Sequence, residues 1–275
     1  NVALIKFEAD SRVLNVYVRA LLQSDYFDDA VLSKVRGGTQ KFISLGDIRK
    51  LSVLVPPMEL QEQFAAFVEQ TDKSKLAVQQ SIAELEELKK SLMKEELLHA
   101  DETVLEVLCE PGRTATCKSY VWVYRSSTYN THPVVLYEYT QGRGSIYPEK
   151  FLKDWYGTYL HCDGYVGYKK LENVTLCGCL VHAKRKFHEA LIVSPNNETA
   201  KTGEKYLCKL FALEHDADKQ EMSLEERYAL RQTKSKAIID KFYDWINSVK
   251  DKILPQSCVG KAITYAINQK EALCS

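Results

Sequence analysis

The sequence predicts an α+β chain built of two unlike parts on either side of a long helix. Leu60 to Leu98 contains no Gly or Pro, and its apolar residues recur at helical steps. Downstream of it, short β-rich runs alternate with helical ones. Composition shifts along the chain: all eight Cys, all three Trp and fourteen of sixteen Tyr lie after residue 100, while seven of twelve Gln lie before residue 81. The expected organisation is a small mixed piece over residues 1–57 and a coiled-coil-like helix over 58–96. An α/β domain over 97–275 follows, with a helical insertion at about 200–253.

Bulk properties exclude some classes. With 45% hydrophobic and 27% charged residues the 275-residue chain can bury a core. Zero formal net charge excludes a uniformly basic nucleic-acid coat, though not a local basic patch. No apolar run approaches the ~18 residues of a membrane span, and no signal peptide opens the chain. The expected setting is a bacterial-type cytoplasm with reduced thiols. Asn1 is not a normal start residue, so an internal fragment is expected.

In the first part, Val2–Phe7 reads as a strand and Val13–Leu22 as an apolar helix-compatible run. Gly37-Gly38-Thr39-Gln40-Lys41-Phe42-Ile43 opens a loop. Ile48–Val55 alternates with β-branched residues, a strand signal that Pro56-Pro57 ends because proline cannot donate to a ladder. A helix then starts, with Glu59 and Glu62 where the dipole favours acids. Phe64, Val68, Thr71, Val78, Ile82, Leu85 and Leu92 form a heptad-like seam. About 35 helical residues span roughly 50 Å, too long for a small core, so the helix packs on a partner helix or acts as a spacer. Periodicity alone favours a generic spacer.

The glycine-pair loop, the Pro-Pro, Glu62-Gln63 and the long helix come in the order found in a type I restriction–modification specificity subunit, which residues 1–94 resemble at its C-terminal part. The resemblance implies a partial target-recognition domain over residues 1–57, docking to a methyltransferase subunit through the helix 58–96, and no catalysis. Lys34, Arg36 and Lys41 are candidate phosphate contacts, Lys41 foremost, although such residues are more often solvated loop charges. A homodimer through the same helix is also open. The helical periodicity runs to about Glu96 and meets strand-like Leu97–Asp101 without a flexible linker, which reads as a fusion of unrelated pieces. A gene rearrangement, an insertion event and an assembly error each predict such a junction.

The second part predicts strands at Leu97–Asp101, Tyr120–Arg125, Val134–Tyr139, Thr158–Asp163 and Leu176–Val181. Pro148 opens a short helix through Trp155, and His182–Leu191 forms another. Ile238, Ile239, Phe242, Trp245 and Ile246 form the apolar stripe of the later helical segment. Three antiparallel strands, then helix, strand, helix and strand, match a ribonuclease H-like fold. Asp101 and Asp163 each fall at a predicted strand end, where neighbouring strands can bring two carboxylates together. Such a pair can hold Mg²⁺ or Mn²⁺, hard ions that take oxygen ligands and substrate phosphate. Two such ions stabilise the attacking and leaving oxygens of an in-line phosphoryl displacement. From the two acids alone a turn role is favoured, since Asp163-Gly164 is an ordinary turn signal.

The flanking motifs change that balance. His99-Ala100-Asp101-Glu102-Thr103, Glu110-Pro111-Gly112-Arg113, Trp122-Val123-Tyr124-Arg125, Cys162-Asp163-Gly164-Tyr165 and Gly178 through Phe187 resemble an insertion sequence 66 family transposase, from about Glu96 to the last residue. The resemblance implies DNA transposition by metal-dependent strand cleavage and transfer. Asp101 and Asp163 stand at the first two positions of an Asp–Asp–Glu triad. Leu180-Val181 stands where the family commonly has Trp-Ala. The family's third acid lies beyond Gln269–Leu273, and this sequence ends at Ser275, so weak or absent strand transfer is expected of it. Glu271, Glu189, Glu198 and Glu204 read more simply as solvated charges, and Glu102 should point to the other side of the strand from Asp101. His182, Lys184, Arg185 and Lys186 form a basic cluster at a helix start and are candidate DNA contacts. Cys177 and Cys179 are too close in sequence for a zinc pair, so no zinc is expected, and Cys162 should pack in the core. The competing classes are a non-catalytic DNA-binding or scaffold protein and a non-functional fusion.

Overall fold

The computed structural model describes residues 5–8, 11–32, 44–50 and 52–275. It divides into two compact units, Asn1–Leu85 and Glu86–Ser275. The glycine-pair loop, with Lys34, Arg36 and Lys41, lies outside the described residues.

In the first unit, α1 (Asn15–Leu22), α2 (Asp25–Leu32) and α3 (Leu45–Ile48) precede α4 (Met58–Leu92), a 35-residue helix that crosses the boundary between the units. Buried Gln61 organises the approach to α4. Its Nε2 donates to the carbonyls of Arg12 (3.0 Å) and Pro56 (2.8 Å), and its Oε1 accepts from the Leu14 amide (2.8 Å). Tyr17 donates to the Leu54 carbonyl at 2.8 Å and packs edge-on against Phe64. Two expected strands are corrected. Residues 5–8 are not strand, and Ile48 ends α3 while Val53, Leu54 and Val55 are exposed and irregular. A β-branched run needs a neighbouring strand to complete its hydrogen bonds, and no strand occurs among the described residues of this unit. The long helix is found as expected, but it ends at Leu92 rather than near Glu96.

The second unit holds β1 (Leu97–Glu106), β2 (Lys118–Ser126), β3 (Val135–Thr140), α5 (Ile146–Phe151), β4 (Tyr159–Cys162), a 3-10 turn at Val166–Lys170, and β5 (Thr175–Gly178). The strands form one mixed sheet in the order β3-β2-β1-β4-β5. β1 pairs antiparallel with β2, and β2 with β3, while β1–β4 and β4–β5 are parallel. All five downstream strands were expected. β1 is longer than predicted because it pairs with β2 as far as Glu106, well past the end of β4. β5 ends at Gly178, three residues early, and α6 (Leu180–Val193) begins in the segment read as strand. There the body of Leu273 approaches to 3.0 Å of where a Gly178 Cβ would stand, so the close packing leaves room for glycine.

One face of the sheet packs Leu98, Ala100, Trp122, Tyr124, Leu136, Leu160 and Cys162 under Phe151, Leu152 and Tyr168. Leu92 and Met93, at the end of α4, belong to this core. A second core joins α6 to α7 (Glu198–Lys219) and, beyond α8 (Leu224–Leu230), to α9 (Lys236–Val249) and α10 (Cys258–Asn268), with Leu273 of α11 (Lys270–Leu273). Phe242 and Ile246 are buried, and Ile238, Ile239 and Trp245 pack against them, so the expected stripe faces this core.

Candidate active site

The parallel ladder of β1 with β4 pairs Leu97 with Tyr159, Leu98 with Leu160 and His99 with His161. Continued two residues, the same register sets Asp101 level with Asp163. Asp101 is not at a strand end as expected; it is the fifth residue of β1, where β1 outruns β4. Asp163 follows the last residue of β4, and its Oδ1 accepts the Tyr165 amide at 2.8 Å, closing the Asp-Gly turn. Gly164 packs closely there: a Cβ would lie 2.7 Å from Gln269 Nε2 at the end of α10, so Gln269 would have to shift. The Asp163 side chain is 19% exposed and that of Asp101 is 51% exposed.

Glu102 lies on the opposite face from Asp101, as alternation requires, and that face is not idle. Its carboxylate is 1% exposed, accepts the Tyr168 hydroxyl at 2.7 Å, and pairs with Arg143 Nη2 at 2.5 Å. The same guanidinium nitrogen stands 3.7 Å from Asp163 Oδ2, and the guanidinium carbon lies 4.2 Å from the centre of the Tyr165 ring. Burial raises the Glu102 pKa, the bonds from Tyr168 and Arg143 oppose it, and the Asp163 charge adds to the rise. Arg143 was not singled out in the sequence, and Tyr168 and Gln269 fell within its recognised motifs, Cys162–Tyr168 and Gln269–Leu273, without a role of their own.

On the Asp101 face, His182 of α6 places Nε2 3.8 Å from Asp101 Oδ2. Cys179 caps the start of α6, and its amide donates to the Cys162 carbonyl at 2.8 Å. Burial pushes the Cys179 thiol up, but His161 and His182 outweigh it and bring it to about 5. His182 is raised in turn, first by Cys179, against burial, with help from Asp101 and Asp163. His182 Nδ1 itself is buried without a partner of normal hydrogen-bond geometry. His99 and His161 face each other, Nδ1 to Nδ1, at 3.0 Å. His99 is lowered to about 4 by burial, then by His161 and Arg125.

Arg185 is exposed on α6. Lys184 is half-buried with its ammonium 5.6 Å from the centre of the Phe211 ring, and Lys186 pairs loosely with Glu189 at 3.4 Å. The other glutamates have local partners: Glu198 bonds Lys201 (2.8 Å) and Glu204 bonds His188 (2.9 Å). Cys162 is buried in the sheet core as expected. Among the described residues no three or more His, Cys, Asp or Glu side chains gather to hold a metal ion, and no helix is long and apolar enough to cross a membrane.

Asp101 and Asp163 thus both lie close to His182 at the start of α6, at the side of the mixed sheet where β1 and β4 run parallel. Comparison with known proteins gives the lineage. The chain belongs to the transposase IS66 family, whose model matches residues 72–275. The match begins inside α4, earlier than the motifs that carried the resemblance. Among curated proteins it is similar to the uncharacterized protein y4qI of Sinorhizobium fredii, 31% identical over 192 residues, 65% of this chain and 35% of that protein. The uncharacterized y4hP of the same organism is 28% identical, covering 64% of this chain and 35% of its own length. The chain therefore spans about a third of the length of the curated relatives it matches. No solved structure matches it.

Proposed function

We propose that residues 86–275 carry the central part of a DNA transposase domain acting by metal-dependent strand cleavage and transfer, with Asp101 and Asp163 as metal-holding acids. The observation that carries the reading is the β1–β4 parallel register, which, continued two residues past the His99–His161 pair, runs Asp101 alongside Asp163 just after the end of β4. The sheet order supports a ribonuclease H-like fold. The donor set fits a hard divalent cation, Mg²⁺ or Mn²⁺, which keeps several waters and takes one or two carboxylates plus substrate phosphate. When bound, such an ion supplies charge stabilisation to the attacking and leaving oxygens. The residues of the chain do the rest. Arg143 holds a cation beside Asp163 and fixes Glu102, while the Tyr165 amide fixes the Asp163 rotamer. His182 steadies Asp101, and Lys184, Arg185 and Lys186 are the candidate phosphate contacts on the same helix.

The first unit is proposed as a remnant of a target-recognition domain, resting on the order of loop, Pro56-Pro57 and helix. The exposed Val78, Ile82 and Leu85 of α4 support association with another helix, from a methyltransferase subunit or a second copy.

The test is Mn²⁺ binding by calorimetry and Mn²⁺-dependent nicking of supercoiled plasmid by the whole chain. Asp101→Asn and Asp163→Asn should each weaken Mn²⁺ binding by roughly tenfold or more. Unchanged Mn²⁺ binding in both variants would sink the metal assignment.

A further inference from the structure

On the sheet face that carries Asp101, the β2 residues are half-buried and the β3 residues are exposed. Register defines three rows across it. Asp101 lies opposite Val123, and Val123 opposite Tyr137. Thr103, Val121 and Tyr139 form the next row, and His99, Arg125 and Val135 the row on the other side. Residues paired in register point to the same face, so all nine share one surface. The aromatic residues of the opposite face are core: Trp122 and Tyr124 are fully buried. On this face Tyr137 is 74% exposed, and Tyr139 and Val135 are 47% and 46% exposed. The Tyr139 ring is braced, its hydroxyl donating to Glu110 and lying 3.1 Å from the Ser119 hydroxyl. Tyr137, by contrast, has no hydrogen bond or ring contact among the described residues.

We infer that this face is a stacking platform for an unpaired DNA strand, which Tyr137 and Tyr139 hold by their rings and Arg125 by a phosphate, leading the strand to Asp101. The choice of DNA rests on the proposed function; the position rests on the register alone. Tyrosines two residues apart on a strand are about 6.8 Å apart, near twice the rise between stacked bases. An aromatic ring accepts any base on its π-face, and a cation alongside tracks the backbone, which is how sequence-tolerant single-strand sites are built. The face also mixes charge with aromatic surface, since Arg125 and Asp101 sit in its rows, and that composition suits a nucleic acid better than an apolar protein surface. An unpaired strand fits a sheet that a duplex, with its bases turned inward, would meet only through phosphates.

The test uses the full 275-residue chain, with EDTA present so that metal chemistry plays no part. A fluorescein-labelled 12-nucleotide single strand carrying 5-iododeoxyuridine is followed by anisotropy and then photocrosslinked. The expected results are single-strand binding that Tyr137→Ala weakens fivefold or more and Tyr137→Phe keeps within about twofold. Arg125→Gln should lower the slope of log affinity against log salt by about 0.7. Crosslinks should fall on the peptide containing Tyr137. Unchanged affinity in Tyr137→Ala, or crosslinks only on α6, would overturn the platform. So would a dimer in sedimentation that Tyr137→Ala dissociates, because the face would then belong to a second copy. Loss of the Mn²⁺ assignment with Tyr137-dependent binding intact would thus refute the proposed chemistry and leave the platform standing, and the reverse pattern would do the opposite.

Discussion

At the scale of single residues, the chain places carboxylates in unequal environments. Glu102 is enclosed, and the rise that burial gives its pKa is opposed by Tyr168 and Arg143, partners 66 and 41 residues away in sequence. Arg143→Met should lower stability by about 2 kcal/mol, less than the 3–5 of a fully enclosed pair because the guanidinium side is 42% exposed. Removing both partners, in Arg143→Met with Glu102→Leu, should recover much of that loss in a denaturant titration. Glu138 is the contrasting case: its Oε2 is buried with no hydrogen-bond partner, as is the Tyr124 hydroxyl. Burial raises the Glu138 pKa above 4.5, with Lys89 and Lys150 opposing the rise. A raised folded-state pKa means the folded chain binds its proton more tightly. The associated stability is complete below the unfolded value and is lost as pH rises through the folded one. Glu138→Gln should therefore raise the melting temperature at neutral pH and flatten its fall between pH 4 and 7; an unchanged pH profile would show that Glu138 is solvated. Asp101 and Asp163 were legible in the sequence because short motifs surround them. Arg143 was not, because nothing local marks a side chain whose role depends on where β3 delivers it.

Elements were legible in proportion to how local their determinants are. Tyr120–Arg125 alternates cleanly, and β2 forms there; Ile48–Val55 alternates too, yet its described residues hold no strand, because alternation specifies a face and not a neighbour. The β5–α6 boundary slipped for a related reason. Leu180 and Val181 are apolar enough for a strand, and their helical state follows from packing of α6 on α7 and α10, which no local pattern encodes. That packing makes its own prediction. Gly203 sits inside α7, where glycine costs about 1 kcal/mol relative to alanine. A Cβ at Gly203 would collide with the fully buried Phe187 ring of α6. Overpacking typically costs about 1–3 kcal/mol, so the collision should outweigh the helix gain. Gly203→Ala should lower the thermal midpoint, whereas Lys205→Ala, two residues along on the exposed side of the same helix, should leave it nearly unchanged; a stabilised Gly203→Ala would mean that α6 and α7 are not in close contact.

At the scale of the whole molecule, the least legible feature was where one part ends and the next begins. The sequence has no linker, and its change from helical to strand periodicity near residue 96 suggested a boundary there. The compact units divide at Leu85 and Glu86, and the family match begins at residue 72. The reason lies in side chains that a periodicity reading treats as part of one uniform seam. Val78, Ile82 and Leu85 are exposed, whereas Leu92 is fully buried and Met93 is 5% exposed, both in the sheet core. The backbone after them is tied in as well: Met93 and Glu96 carbonyls accept the amides of Tyr156 and Thr158, and the Trp155 indole donates to the Glu95 carbonyl at 2.7 Å. The last turns of α4 are thus structural parts of the second unit. A fragment of residues 86–275 should unfold cooperatively, with ordered near-ultraviolet dichroism. A fragment of residues 97–275 loses Leu92, Met93 and the Glu95 and Glu96 acceptors together. Burying a leucine or methionine side chain contributes about 1.5–3 kcal/mol each, and a domain has only 5–15 in total. The shorter fragment should therefore lose its near-ultraviolet signal and bind a hydrophobic dye while keeping far-ultraviolet helical dichroism. Equal cooperative melting of the two fragments would instead place the boundary at residue 97, and the end of α4 would then be a spacer that only rests on the sheet.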